Sequence, residues 1–334
     1  MGPMKAMVLG RTAPAEERPL TLAERADPAP SPDEVSIEVE ACGVCRTDVH
    51  IVEGEVAARL PIVPGHQAAG RIARVGARVE GFREGDLVGV GWMASTCGVC
   101  RFCRTGRENL CEEATFTGRD RDGGYAERMT ARSEWVYRLP EGFSATEAAP
   151  LLCAGIIGYR SLRLSGIEPG GRLGLFGFGA SAHLAIQVAL DWRCEVFVFT
   201  RQEDHRQLAR RMGAVWTGAA EDDPGVLLDA AVTFAPAGAL VPAALSHLSR
   251  GGTVAVNAIF MSPIPSFECE KLAGERVVRS VMNSTRQDGD EFLALAARIP
   301  IRAATELSPL EEANEALLSV KRAGVRGAAV LAMR

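Results

Sequence analysis

From Met4 to about Pro150 the chain runs in short stretches where apolar and polar residues alternate with a period of two, broken by Gly and Pro. Val35-Ser-Ile-Glu-Val39 and Gly70-Arg-Ile-Ala-Arg-Val75 are typical. That period sends one face of an extended chain into a core and the other to water, and it predicts a β-rich region. From about Ala154 the texture changes to apolar runs alternating with Ala-rich stretches of helical period. The pattern predicts a strand over Leu173–Phe176, a helix over Ser181–Leu190 and a strand over Glu195–Phe199. A strand over Leu228–Phe234, a helix near Val241–Leu248 and a strand over Gly252–Val256 continue it. This is the signature of βαβ units on a parallel sheet. The tail from about Asp290 carries one helical segment, Leu310–Lys321, and a closing strand, Ala328–Ala332.

A chain of 334 residues exceeds what one hydrophobic core usually organises, so the two textures read as two domains. The net charge of -5, with both signs interspersed, leaves no basic stripe for nucleic acid and no polybasic tail for a membrane surface, so small neutral molecules are the expected partners. No run approaches the ~18 to 20 apolar residues of a membrane span, and Met1 to Val8 lacks the order of a signal peptide; cytoplasmic residence is the expectation.

In a reducing compartment the nine cysteines are better explained as thiolates on metal than as disulfides. Cys97, Cys100, Cys103 and Cys111 fall within one short polar loop and can close a tetrahedron without long-range help. A closed set of four cysteines has no open position for substrate, so it contributes folding energy; zinc and an iron-sulfur cluster both suit the spacing. A second set is scattered: Gly43-Val-Cys45-Arg-Thr47-Asp48-Val-His50, then Pro64-Gly-His66-Gln67, then Leu152-Cys153-Ala-Gly155. Two cysteines and one histidine with a fourth position open make the zinc arrangement of an alcohol dehydrogenase.

The order of these motifs, followed by a Gly-rich turn, resembles the zinc-dependent medium-chain alcohol dehydrogenase family across essentially the whole chain. The resemblance implies an α/β Rossmann domain, a doubly wound parallel sheet over residues 154–289, and a GroES-like β-barrel catalytic domain built from 1–153 and 290–334, with the active site in the cleft between them. It makes Cys45, His66 and Cys153 ligands of a catalytic zinc, with the four-cysteine loop holding a structural one, two Zn2+ per chain. Asp48 matches the carboxylate that fixes the ligand imidazole. Thr47 and His50 match a proton relay running from the alcohol through the cofactor ribose to solvent, a role that suits an imidazole of unperturbed pKa near ~6.5. Val52, Trp92 and Met93 match the substrate pocket, and the small Val52 implies room for a medium-chain or aryl alcohol or aldehyde. A homodimer or homotetramer is implied as well.

Three positions depart from the family. Gln67 stands where Glu is usual and removes a negative charge near the zinc. Ile157 stands where a threonine near the nicotinamide is common, and Ala328 where an arginine for the pyrophosphate is common.

Gly177-Phe-Gly179-Ala180-Ser181-Ala182, between a strand and a helix, fits the dinucleotide fingerprint with Ala in its third small position. An NAD enzyme carries an acidic residue at the end of the following strand to bind the ribose 2′-hydroxyl; here Thr200 is followed by Arg201. With no carboxylate to repel it and a guanidinium beside it, a 2′-phosphate is accommodated, which predicts NADP(H) preferred over NAD(H). His205 stands where it would add to that pocket; the alternative reading is that His205, Arg206 and Arg210 form a solvated helix face. The competing readings are a zinc-free quinone or enoyl reductase on the same fold, against which the three ligands argue, and a zinc-binding regulatory or redox-sensing protein without turnover.

Overall fold

The computed structural model describes residues 2–299 and 301–333. The chain divides into two units, Met1–Ala154 with Ser284–Arg334, and Gly155–Asn283.

In the first unit β1 (Met4–Leu9) and β2 (Leu20–Arg25) form an antiparallel pair. β3 (Glu34–Val44) is the axis of the main sheet and runs on past the Val35–Val39 alternation to the start of α1 (Arg46–Glu53). β4 (Ala68–Val75) pairs antiparallel with β3, with register shifts between Ser36 and Ile37 and between Val39 and Ala41. Such bulges increase the local twist and bend a strand. Gly70 lies at the second shift, where a Cβ would run into the backbone of Glu38 and Val39. β5 (Leu87–Val90), β6 (Met93–Ser95), β7 (Thr115–Phe116), β8 (Arg128–Arg132) and β9 (Val136–Arg138) follow, and the short helix α2 (Ala145–Ala148), capped by Ser144, leads to Cys153.

The second unit opens with α3 (Ala154–Ser165), then alternates: β10 (Arg172–Phe176), α4 (Ala180–Asp191), β11 (Glu195–Phe199), α5 (Glu203–Arg211), β12 (Trp216–Gly218), β13 (Leu228–Thr233), α6 (Leu240–His247), β14 (Leu248–Val256) and β15 (Val277–Ser280). Its six strands are all parallel in the order β12-β11-β10-β13-β14-β15. Numbered within the sheet this is 3-2-1-4-5-6, the doubly wound Rossmann order, whose switch point lies beside the first strand. The strands are apolar because both faces are covered. Phe176 and Phe199, register partners on β10 and β11, stack at 4.1 Å in the core of this unit. β15 differs: as the last strand of the sheet all four of its residues are exposed, which is why no buried-strand pattern announced it.

The chain returns to the first unit at Ser284, ahead of the residue-290 boundary that the pattern suggested, because the helix that follows belongs with the barrel. This helix, α7 (Arg286–Arg298), was not anticipated from the sequence. Thr285 and Asp288 form its capping box, Thr285 Oγ1 accepting from the Asp288 amide at 3.2 Å and donating to Asp288 Oδ2 at 2.7 Å, and Phe292, Leu293 and Ala296 bury its inner face. β16 (Thr305–Pro309), α8 (Ala313–Lys321) and β17 (Ala328–Ala332) complete the unit. The seven-stranded sheet runs β16-β17-β3-β4-β5-β9, with β8 also on β3. Its core gathers Val35, Ile37, Ile72, Val88 and Leu331. Among the described residues no helix is long and apolar enough to cross a membrane.

The α7 capping box is closed over a fully buried carboxylate, Asp288. Thr285→Ala therefore lowers stability by about 1–2 kcal/mol, read as a shift of the first unit's unfolding transition by calorimetry, and Thr285→Ser restores most of it.

Candidate active site

Cys45 is the N-cap of α1. Its backbone is extended, its Sγ accepts the Thr47 amide at 3.4 Å, and Asp48 three residues on accepts the Cys45 amide at 2.9 Å. The Cys-x-Thr-Asp motif is thus a capping box, and a thiol in that position faces the positive end of the helix, which favours the thiolate. His66 sits just before β4 and Cys153 in the turn before α3. These three residues, far apart in sequence, bring one ligand atom each to within 4.8 Å of one another.

The environment of the set is that of cation ligands. His66 Nδ1 lies 3.0 Å from Asp48 Oδ1, both residues buried, and His66 Nε2 is buried with no hydrogen-bond partner. Hydrogen bonding from Cys153 holds the Cys45 thiol well below its usual value, against the effect of burial and with help from His66. The same hydrogen bond, together with burial, pushes Cys153 well above its own. Burial opposes a charge on His66, yet the charge and hydrogen bond of Asp48, and then Cys45, push it up to about 10. An orphaned buried nitrogen beside a stabilised thiolate fits a borderline-soft cation such as zinc.

The four-cysteine loop is as compact. Cys97 Sγ lies 3.9 Å from Cys103 Sγ and 3.6 Å from Cys111 Sγ, and Cys100 Sγ lies 3.5 Å from Cys103 Sγ. A tetrahedron with metal–sulfur bonds of ~2.3 Å requires sulfur separations of about 3.8 Å. This suits one ion; a cluster, whose thiolates sit on different irons, would spread them further. Glu108, inside the loop, accepts the Arg286 amide at 2.6 Å, and the Arg286 guanidinium lies 4.3 Å from the centre of the Tyr137 ring, so the loop is tied to the start of α7.

Thr47 lies in the first turn of α1, and His50 one turn later is buried. His50 Nδ1 pairs with Glu55, a residue passed over in the sequence. Gly54 ends α1 in a left-handed conformation (φ 82°), so the chain turns back and places the next carboxylate on the imidazole. A carboxylate just past a helix-ending glycine was the available signal.

The three pocket candidates fare differently. Trp92 packs edge-on to His66 at 4.9 Å and stacks on Phe116 at 4.9 Å. Met93 is buried in a small cluster with Phe116 and Trp135. Val52 is fully buried on the inner face of α1, among the core residues of this unit. Gln67 is buried with its side chain over Gly43, where a Cβ would come within 2.9 Å of it. Ile157 lies on α3, one turn beyond Cys153, and Ala328 is buried at the start of β17.

In the second unit the Gly-rich turn joins β10 to α4 with Gly179 as N-cap. Gly177 has φ 94°, and a Cβ there would lie 2.8 Å from Ala235; Gly179 has open space where its Cβ would be. Ala180 and Ser181 begin the helix, and Ala182 is fully buried beneath it. The turn therefore offers a helix N-terminus that a phosphate can approach. Thr200 follows β11 and Arg201 beside it is exposed, while His205, in the first turn of α5, has its pKa lowered by burial. Arg206 corrects the expectation of a solvated face: its Nε donates to the Thr200 carbonyl at 2.7 Å.

A family model described as "Alcohol dehydrogenase GroES-like domain" matches residues 31–141. The chain is 45% identical over 335 residues to the probable alcohol dehydrogenase AdhA of Mycobacterium tuberculosis, covering 98% of this chain and 97% of that one. It belongs to the zinc-dependent medium-chain alcohol dehydrogenase family. An alcohol dehydrogenase of Geobacillus stearothermophilus is 34% identical over 90% of this chain and 92% of its own length. Among solved structures, a cinnamyl alcohol dehydrogenase of Sorghum bicolor superposes with a TM-score of 0.88 at 26% identity, covering 99% of this chain and 97% of that one.

In this alcohol dehydrogenase the four cysteines of the loop are placed where they could hold one metal ion, and such an ion would contribute folding energy to the loop. Cys111→Ser is expected to lose one metal equivalent per chain by elemental analysis and to make the 97–111 loop readily cleaved by protease. Unchanged metal content would overturn that assignment.

Proposed function

We propose that the chain is a zinc-dependent alcohol dehydrogenase and aldehyde reductase, moving a hydride between a primary alcohol or aldehyde and a nicotinamide cofactor, with NADP(H) favoured. The observation that carries this reading is the convergence of Cys45, His66 and Cys153 from three distant segments, with His66 Nε2 buried and unpartnered. Zinc in each of the two donor sets is supported by the closeness of their ligand atoms. At the three-ligand set it supplies Lewis acidity, which draws the pKa of an alcohol hydroxyl towards ~7.

The rest is done by side chains of this protein. Cys45 and Cys153 hold the ion as thiolates. Asp48 keeps the proton of His66 on Nδ1, so that Nε2 presents a lone pair. Thr47 takes the alcohol proton, and His50 passes it on towards solvent, with Glu55 on its Nδ1 as the acceptor beyond it. Trp92, against His66, supports an apolar medium-chain or aryl substituent on the substrate. Gly177, Gly179 and the first turn of α4 receive the pyrophosphate, and Thr200, Arg201 and His205 a 2′-phosphate. Assembly into a homodimer or homotetramer is supported by the exposed edge of β15, where Val277 and Val278 are uncovered.

The first experiment is zinc content together with initial rates for NADPH and NADH against ethanal and benzaldehyde. Two zincs per chain and NADPH-driven reduction, better with the aryl aldehyde, are expected. Zinc without turnover would favour the regulatory reading. Thr200→Asp puts a carboxylate where the 2′-phosphate is expected and lowers kcat/KM for NADPH on the order of 100-fold while sparing NADH; NADH preference in the unaltered enzyme would overturn the assignment. Glu55→Gln lowers kcat for alcohol oxidation on the order of 10-fold, with zinc content and KM unchanged and partial rescue by small buffer bases; an unchanged kcat would remove Glu55 from the relay.

A further inference from the structure

Asp48 is fully buried, and its two oxygens accept three hydrogen bonds. Oδ1 takes the Nδ1–H of His66 at 3.0 Å; Oδ2 takes the Cys45 amide at 2.9 Å and the Tyr125 hydroxyl at 3.1 Å. Two of the donors belong to His66 and Cys45 of the proposed zinc set. The third comes from a residue 77 positions away that neither the zinc set nor the proton relay uses. We propose that Tyr125 is a positioning residue for the zinc ligand His66, acting through the Asp48 carboxylate. The proposal rests on the reading that Cys45, His66 and Cys153 hold zinc.

The seat of Tyr125 is built around this contact. The residue is fully buried. Its ring lies over Gly65, the residue before His66, where a Cβ would fall 2.8 Å from Tyr125 Cε1 and 2.9 Å from Cys42 Sγ. Gly65 also has φ 96°, so the position needs a glycine on both counts. The backbone of the same segment pairs with the chain that delivers His66: the Gly123 amide donates to Val63 O at 2.7 Å, the Tyr125 amide to Pro64 O at 3.0 Å and the Gly124 amide to Gly65 O at 2.9 Å. One segment thus fixes both the backbone leading to the ligand and the carboxylate behind it.

The consequence follows from the chemistry of the carboxylate. With Oδ2 held by two donors from different directions the carboxylate cannot swing about its Cβ–Cγ bond, and Oδ1 stays on Nδ1 of His66. The phenol also draws negative charge onto Oδ2, which limits how strongly Oδ1 pulls on the imidazole proton and so tunes the donor strength of Nε2. Removing the hydroxyl leaves Oδ2 with the Cys45 amide alone and frees the carboxylate to rotate. Partners one step behind a ligand typically change metal affinity 10- to 100-fold, and a group one step further back belongs at the lower end of that range.

Tyr125→Phe keeps the ring on Gly65 and deletes only the hydroxyl. In the zinc-loaded enzyme, release to an excess of a chromophoric chelator is followed, with the four-cysteine zinc as internal control. The three-ligand zinc is expected to leave about 10-fold faster while the four-cysteine zinc leaves at its usual rate. In protein with cobalt(II) at the three-ligand site, the visible ligand-field bands of the variant are expected to shift. Equal release rates and unshifted bands would overturn the proposal, even if turnover fell. Acceleration of both zincs alike would also overturn it, since that marks a general loosening of the fold. A wild-type protein that binds no metal at the three-ligand set would instead overturn the functional reading beneath it.

Discussion

The first unit is organised around satisfying one carboxylate away from water. Asp48 has no exposed surface, and a buried carboxylate must find several donors to be tolerated at all. The donors it finds are the reason the site exists in this geometry. The Cys45 amide fixes the start of α1, the His66 imidazole fixes the entry to β4, and the Tyr125 hydroxyl ties in the segment that runs alongside residues 63–65. Helix capping, ligand orientation and barrel packing are therefore one set of contacts, and substitution of Asp48 would disturb all three together.

That economy explains how a β-rich unit brings three candidate ligands together from separate segments without a preformed loop. Cys45 comes at the end of β3, His66 just before β4, its antiparallel neighbour, and Cys153 at the turn before α3. The thiolate-stabilising helix end and the orphaned His66 Nε2 leave the set poised for a cation. The four-cysteine loop solves a different problem. It is local in sequence and polar, and its sulfurs stand at the spacing of a single tetrahedral ion, so a metal held there would do the work that apolar burial does elsewhere. In the second unit the corresponding economy is the turn from β10 to α4, where one glycine is required by a close backbone and the next leaves space for a phosphate.

Much of this was legible in the chain. The alternation over Val35–Val39 and Gly70–Val75 gave two strands of the barrel, and the apolar runs at Leu173, Glu195, Leu228 and Gly252 gave four of the six parallel strands. The misses have physical causes. β15 carries no buried face, so it has no hydrophobic signature. The capping box of α7 could have been read at Thr285 and Asp288, but its buried positions are few and spaced by small residues.

What the sequence by itself determined are the features whose partners lie within a few residues: the Cys-x-Thr-Asp helix start, the four-cysteine loop and the glycine turn between a strand and a helix. At that range, chain stereochemistry alone brings the groups together. What only the tertiary structure decided are the contacts made across long separations or through an unusual backbone conformation. Tyr125 reaches Asp48 because residues 123–125 pair with residues 63–65. Glu55 reaches His50 because Gly54 adopts φ 82°. The chain returns to the barrel at Ser284 because α7 buries its apolar face there. Each of these depends on burial shared among distant segments, and a linear pattern of residues does not encode which distant segment will supply the other half.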